Sequence, residues 1–201
     1  METLQPAEVR VLGALVEKDM TTPEYYPLTL NALQAACNQK SSREPVVHYG
    51  EDTVLEAIEL LKNKGLAVRI SGAGHRVDKF GHRLGEKLNL GRRELALVSV
   101  LMLRGPQTVG ELRGRTGRMH DFNDLEEVER CLETLAARDP DPLVARAPRG
   151  RWAQLLGGPP DAVDEPPLNL ERADFEERLQ ALECEIAEIK RQFEDFRRQF
   201  Q

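Results

Sequence analysis

Aromatic residues and cysteines are scarce in this 201-residue chain. Phe, Trp and Tyr together make up 5% of it, so any core must be built from Leu, Val, Ile and Ala. The three cysteines, Cys37, Cys131 and Cys184, are far apart and form no C-x-x-C pair. This usage is typical of reduced thiols in a cytoplasmic protein, and it argues against a disulfide framework or a zinc site.

Long apolar runs and enzyme motifs are also missing. No apolar stretch approaches the roughly 20 residues that a membrane-spanning helix needs. The start, METLQPAEVR, lacks the basic residues and apolar run of a secretory signal. Gly72 and Gly74 lack the third glycine and the following helix of a phosphate cradle, and the four histidines show no metal-ligand spacing. We therefore expect a cytoplasmic, non-enzymatic protein without a cofactor or metal.

The net charge of −6 is unevenly distributed. Residues 1–88 carry −1, residues 89–157 carry +1 and residues 158–201 carry −6. The body of the chain is thus close to neutral. Its acidic pI does not exclude nucleic acid as a partner, but no basic field covers a whole domain either.

The first 88 residues follow the helix and strand order of a winged helix. Apolar residues at helical spacing predict three helices, at 4–18, 30–39 and 52–63. Thr29 precedes the second helix and is a suitable N-cap. Two alternating segments, LAVRIS and HRVDKF, flank a glycine-containing turn and predict a hairpin, which is the wing.

A second copy of this pattern follows. Leu4 and Glu8 recur as Leu90 and Glu94, 86 residues later. Helices are predicted at 94–104, 109–116 and 125–137, with Thr108 as an N-cap, and a hairpin surrounds Pro148-Arg149-Gly150. Matched spacing together with a hairpin in the same place indicates duplication. We predict two tandem winged-helix domains, at 1–88 and 89–157.

The end of the chain has a different pattern. Residues 158–170 are rich in proline and predict a linker. In residues 171–201, apolar residues alternate at spacings of four and three from Phe175 to Phe200, which predicts a coiled-coil tail that forms a homodimer. A helix folded back on its own domains is the alternative. The predicted dimerisation residues are Leu179, Leu182, Ile186, Ile189, Phe193 and Phe196. The predicted fold class is therefore mainly α with small β-hairpins (α+β), with two winged helices and a coiled-coil helix.

The segment between residues 17 and 46 holds a resemblance to a known family. Its motif includes Glu17-Lys18, Thr22-Pro23, Tyr26-Pro27 and the run Asn38-Gln39-Lys40, with Arg43 following. The resemblance continues into Arg104-Gly105 and the residues up to Arg113. On these residues the chain resembles the YceH-like bacterial proteins, a family of unknown function. The resemblance implies a tandem winged-helix fold in a bacterial cytoplasm and no established catalytic residues.

Two interpretations of the function remain open. Winged helices commonly insert the third helix into the major groove, but here both third helices are rich in acidic residues, which phosphates repel. We therefore predict weak, backbone-directed binding to double-stranded DNA through wings and loops. The alternative is a dimeric protein–protein scaffold. The predicted contact residues are Lys40, Arg43, Arg69, Arg76, Lys79, Arg113, Arg115, Arg118 and Arg149.

The run Asn38-Gln39-Lys40 with Arg43 has its own two interpretations. Four donor-rich residues between two helices exceed what a plain turn needs. Asn38 and Gln39 either satisfy buried backbone groups, or the segment contacts a partner through Lys40 and Arg43.

Overall fold

Helices dominate the part of the chain that our computed structural model describes, residues 2–71 and 77–159. The helices in these residues are α1 (Pro6–Thr21), α2 (Leu30–Cys37), α3 (Glu51–Asn63), α4 (Leu84–Leu88), α5 (Arg92–Arg104), α6 (Val109–Thr116) and α7 (Leu125–Ala136). The strands are β1 (Leu28–Thr29), β2 (Ala67–Ile70), β3 (Lys79–His82), β4 (Gln107–Thr108), β5 (Val144–Ala147) and β6 (Arg151–Gln154). The predicted α+β class, mainly helical with small hairpins, is confirmed.

The two halves of the described chain repeat one arrangement. Each runs helix, short strand, helix, helix and two-stranded hairpin. The sheets have the orders β1-β3-β2 and β4-β6-β5, and all their strand pairs are antiparallel. This is a winged-helix-like arrangement. All described residues fall within one compact unit, and the division into domains at 1–88 and 89–157 stays a prediction.

Three short elements differ from the sequence-based expectation. The two-residue strands β1 and β4 were not predicted, because their only signal is pairing with a distant hairpin strand. Helix α4 was also missed. The second strand of the first hairpin begins at Lys79, later than the HRVDKF segment suggested. The turn residues 72–76, the linker beyond residue 159 and the tail lie outside the described residues, as do all six predicted dimerisation positions.

The N-caps of the two middle helices differ in one detail. The Thr29 hydroxyl accepts a hydrogen bond from the Ala32 amide at 3.3 Å. The Thr108 hydroxyl likewise accepts one from the Glu111 amide at 3.2 Å, and the Glu111 carboxylate accepts one in return from the Thr108 amide at 2.8 Å. Helix α6 therefore has a complete capping box, and α2 has only half of one.

The core lies between the first helices of the two halves, α1 and α5. Both helices bury most of their length, and Leu12, Leu15, Leu97 and Leu101 are almost completely shielded from solvent. Gly13 permits close approach, because a Cβ added there would lie 3.0 Å from Leu103 Cγ. This packing brings the ends of α1 and α5 together and positions the loop between α2 and α3.

Candidate functional site

Arg43 organises the loop between α2 and α3. Its side chain is fully buried and forms a bidentate pair with Glu17 of α1, at 2.6 and 3.0 Å. The same guanidinium donates to the backbone oxygen of Ala36 at 2.8 and 3.0 Å and to Gln39 Oε1 at 2.9 Å. A fifth acceptor is the Ser42 carbonyl, at 2.8 Å. We call Glu17, Gln39, Ser42 and Arg43 the loop anchor.

A second set of hydrogen bonds fixes the far end of this loop. Asn38 Nδ2 donates to the Tyr49 carbonyl at 2.9 Å, and the Tyr49 amide donates to Asn38 Oδ1 at 2.8 Å. Gln34 Nε2 donates to the same carbonyl at 3.1 Å. Asn38 therefore satisfies backbone groups of the loop, as the first interpretation holds, whereas the Gln39 side chain accepts from the Arg43 guanidinium and not from a backbone group.

The Thr22-Pro23 and Tyr26-Pro27 motifs end α1 and hold the first wing. Thr22 Oγ1 donates to the Lys18 carbonyl at 3.2 Å, and Pro23 begins a short 3-10 turn before β1. The Tyr26 hydroxyl accepts a hydrogen bond from the His82 amide at 2.6 Å, and burial raises the pKa of that phenol. These motif residues are therefore structural contacts within the first half.

His82 occupies a largely shielded place in strand β3. Its Nε2 lies 3.3 Å from Asp19 Oδ2, and its Nδ1 lies 3.3 Å from the Leu84 amide, which donates to it. Burial lowers the pKa of His82 although the Asp19 carboxylate acts in the opposite direction. The neutral imidazole thus accepts from the backbone and ties the wing to α1.

A polar cleft opens beside the loop anchor. It has a volume of about 170 Å³ and lies between the ends of α1, α5 and α6 and the α2–α3 loop. Its basic residues come from three helices and the segment after α6: they are Lys18, Arg104, Arg115 and Arg118. Glu17 is the one acidic residue among those that line it. We call this space the cationic cleft.

Like charges lie close together in the cationic cleft. Arg104 donates to the Ser42 hydroxyl at 2.7 Å, which holds the guanidinium against the loop anchor. Burial is the main cause that lowers the pKa of Arg104, and the positive charge of Arg115 adds to it. Positive charges confined in this way favour an anion between them.

The predicted contact residues fall into three groups in the structure. Arg43 is buried, and its guanidinium is engaged by the loop anchor, so the prediction that Arg43 contacts a partner needs correction. Arg115 and Arg118 line the cationic cleft, with Arg118 exposed. Lys40 is exposed beside the cleft, and no described residue pairs with it.

Two wing arginines, Arg69 and Arg146, are held by acids of the same chain. Arg69 pairs with Asp78 across the first wing, while Lys79 is half-buried in β3 and Arg76 lies outside the described residues. In the second wing, Arg146 contacts Glu129 at 2.5 Å and stacks over the Trp152 ring at 4.2 Å. The wings therefore offer less positive charge than their sequence indicates.

Other predicted positions on the second half remain at the surface. Arg113 is exposed and donates to the carbonyls of Phe122 and Asn123, at 3.2 and 2.9 Å. Arg149 is exposed at the turn of the second hairpin, with a positive φ of 60°. Neither residue lines the cationic cleft.

The third helix of each half presents an acidic face. On α3, Glu51, Asp52 and Glu56 are exposed, and on α7 Glu126 and Glu133 are exposed. Apolar side chains interrupt these faces: Leu55 and Leu60 are each 38% exposed and Leu125 is 50% exposed. The expected acidity of both helices is thus found on their solvent-facing sides.

Two cleft residues were absent from the predicted contact set. Lys18 and Arg104 belong to motif runs that carry the family resemblance, and that was the available signal. Nothing local in the sequence indicates that the last turn of α1 and the last turn of α5 lie side by side. Their proximity follows from the packing of α1 on α5.

Within the described residues, no group of three or more His, Cys, Asp and Glu side chains is arranged to hold a metal ion. Cys37 and Cys131 are buried free thiols, and burial raises their pKa values to about 12 and about 11. Cys184 lies outside the described residues. No helix in the described ranges is both long and apolar enough to cross a membrane.

Comparison with known proteins places this chain in a family. The model described as "Protein of unknown function, DUF480" matches residues 4–151. The chain belongs to the DUF480 family. Its relatives include a UPF0502 protein of Solibacter usitatus, 55% identical over 206 residues that cover 98% of both chains. This DUF480 chain is also 56% identical to a UPF0502 protein of Opitutus terrae, over 79% of this chain and 71% of the relative.

A more distant relative also matches over nearly the whole length. The UPF0502 protein of Serratia proteamaculans is 43% identical over 204 residues, which cover 95% of this chain and 94% of the relative. The residues that the family model matches include the α2–α3 loop and all four basic residues of the cationic cleft. The resemblance seen in the sequence, to an uncharacterised bacterial family, is confirmed.

Proposed function

We propose that this DUF480 protein is a non-enzymatic, cytoplasmic, DNA-associated regulator that contacts the sugar–phosphate backbone through loops and wings. The observation that carries the proposal is the separation of charge on its surface. The outer faces of α3 and α7 are acidic, whereas cations remain exposed in the α2–α3 loop, after α6 and at the second wing. Phosphates favour the second set and are repelled by the first.

This arrangement supports binding without insertion of a recognition helix. A helix in the major groove reads bases through donors and acceptors on its exposed face. Carboxylates on that face would lie near closely spaced phosphates, which repel them. Backbone contact by a few cations gives weak, salt-dependent and largely sequence-independent binding. The proposed contacts are Lys40, Arg118 and Arg149, together with Arg76, which is proposed from its sequence position alone.

The test is fluorescence anisotropy with a labelled, blunt 5′-hydroxyl duplex at several salt concentrations. We expect weak binding. The logarithm of the association constant falls linearly with the logarithm of the salt concentration. The variant Lys40→Ala reduces this slope by about 1, because a cation that no longer neutralises a phosphate lowers it by roughly one unit. Arg83→Ala is the matched control, because Arg83 already lies 3.9 Å from Glu86. Binding that persists in high salt with strong sequence preference contradicts the proposal.

A protein–protein scaffold is the second candidate, and one observation favours it. Leu55 and Leu60 are exposed on α3 among carboxylates, a surface whose chemistry suits a basic, partly apolar segment of another protein. Glu56→Lys on this face separates the candidates. It weakens binding to a basic protein partner, and it strengthens binding to DNA or leaves it unchanged.

We also propose that the tail pairs two copies of the chain. The support is the heptad pattern of residues 171–201 in the sequence. Sedimentation of the full chain and of a chain ending at Gly158 tests this proposal. We expect a dimer for the full chain and a monomer for the truncated one at micromolar concentration. Two monomers would contradict it.

A further inference from the structure

The cationic cleft is suited to a small group rather than to a whole ligand. Its volume of about 170 Å³ is below the roughly 300–1,000 Å³ of pockets that hold drug-sized molecules. Parts of three helices and one loop surround it. A group that enters must therefore be attached to the rest of its molecule on one side only.

Two acids near the cationic cleft, Glu17 and Glu111, are already engaged by other cations. Glu44, whose charge opposes the burial that lowers the pKa of Arg104, does not line the cleft. Glu17 is held by Arg43 in the loop anchor. Glu111 lies 3.5 Å from Arg115, but it is also 2.9 Å from Arg151 and accepts the Thr108 amide of the capping box. Lys18 is 3.8 Å from Glu17. The cations outnumber the carboxylates that are available to them.

One cation has no partner at all in the described part of the chain. Arg118 forms no hydrogen bond or ion pair with a described residue, although it lines the cleft. Hydroxyl donors complete the lining. Ser42 Oγ accepts from Arg104 and keeps its own proton to donate, and Ser41 also lines the cleft.

We propose that the cationic cleft binds a phosphate monoester group end-on. Arg104, Arg115 and Arg118 supply planar donors for its oxygens, Lys18 adds a point charge, and the Ser42 hydroxyl donates a further hydrogen bond. A monoester carries about −1.5 to −2 charges at pH 7 and is substituted on one side, so it matches both the charge and the enclosure. An internal phosphodiester carries one charge and continues on both sides.

This inference goes beyond backbone contact with duplex DNA and does not depend on it. The same chemistry has two sources, a free phosphorylated metabolite and the 5′-phosphate at the end of a nucleic acid strand. In either case the ligand bridges α1, α5 and α6, which belong to both halves of the molecule, and so links its binding to the relative position of the halves.

The experiment is calorimetric titration of the full chain at constant ionic strength. The probes are inorganic phosphate, AMP, dimethyl phosphate, and one short oligonucleotide with either a 5′-phosphate or a 5′-hydroxyl. We expect AMP to bind and dimethyl phosphate not to bind. We also expect the 5′-phosphorylated strand to bind more tightly than the 5′-hydroxyl strand, which keeps only its backbone phosphates. Equal affinity for AMP and the phosphorylated strand identifies the free metabolite as sufficient, and tighter binding of the strand identifies the nucleic acid end.

Variants locate the binding. Arg115→Gln and Arg118→Gln each reduce monoester affinity by about tenfold or more, as loss of a charged hydrogen bond implies. Arg130→Gln, on the exposed face of α7, leaves it unchanged. Thermal melting checks that each variant folds. Ser42→Ala removes a hydroxyl donor without a change of charge, and it also reduces the affinity for the monoester. Equal binding of monoester and diester, or unaltered monoester affinity in a variant that carries both Arg115→Gln and Arg118→Gln, overturns the proposal. Duplex binding in the earlier test uses 5′-hydroxyl ends, so either result stands without the other.

Discussion

At the scale of single residues, Arg43 shows why a charged residue in a polar loop is not always a contact residue. Its guanidinium is buried and donates hydrogen bonds to one carboxylate and to oxygen atoms of three further residues. The sequence indicated a donor-rich loop but not which donor was internal. The partner Glu17 is 26 positions away, and only the packing of α2 on α1 brings the two together.

Replacement of Arg43 tests its structural role. Arg43→Met removes every guanidinium donor of the loop anchor and keeps an unbranched, apolar side chain in place of the aliphatic part of the arginine. We expect a loss of about 3–5 kcal/mol in the free energy of unfolding, because Glu17 and the Ala36 carbonyl lose their partner in a buried setting. Urea denaturation followed by circular dichroism measures it.

The control is Arg83→Met, an exposed arginine whose nearest carboxylate is 3.9 Å away. Exposed pairs of this kind contribute little, so its unfolding midpoint stays close to that of the unaltered chain. If Arg43→Met has a similarly small effect, the loop anchor does not stabilise the fold.

At the scale of helices and strands, the sequence predicted most of the long elements because their signals are local. Helix α6 was predicted with the bounds that the structure shows, and Thr29 and Thr108 were predicted as N-caps. Strands β1 and β4 were missed, since a two-residue strand depends on a partner about 50 or 45 positions away. The contrast separates elements specified by periodicity from those specified by tertiary pairing.

The two N-caps give a comparison within one molecule. A double variant, Thr108→Ala with Glu111→Ala, removes both hydrogen bonds of the capping box and is expected to cost about 1–2 kcal/mol in the free energy of unfolding. Thr29→Ala removes a single 3.3 Å hydrogen bond and is expected to cost less, about 0.5–1 kcal/mol. Chemical denaturation of both variants gives the ranking, and a larger loss for Thr29→Ala would contradict the role of the Glu111 carboxylate.

At the scale of the whole molecule, the repeat is also the organisation of the core. Ser99 Oγ donates to the Gly13 carbonyl at 3.3 Å, across a separation of 86 residues. That separation is the repeat offset, so equivalent positions on α1 and α5 contact each other. Contact between equivalent residues is characteristic of an isologous, two-fold interface. The offset could be read from the sequence, but nothing in the sequence indicated that the two copies meet at their first helices.

This interface predicts that both halves unfold together. Trp152 is the single tryptophan and reports on the second half, where it is buried. Cys37 is fully buried and reports on the first half through its reaction with a thiol reagent. With Cys131→Ala and Cys184→Ser, Cys37 is the sole thiol. We expect fluorescence and thiol reactivity to give the same urea midpoint, as a two-state transition requires.

Gly13→Leu tests whether the α1–α5 contact causes this coupling. A Cβ at Gly13 already lies 3.0 Å from Leu103 Cγ and Met102 Cβ, so a leucine must push the two helices apart, at a cost of about 1–3 kcal/mol or more. The two midpoints then separate. Gly114→Leu is the matched control, since no atom within 4 Å meets a Cβ on that face of α6, and helix propensity favours the change by roughly 0.5–1 kcal/mol. Separate midpoints in the parent chain, or coincident ones in Gly13→Leu with its stability unchanged, would show that the halves are independent domains that merely touch.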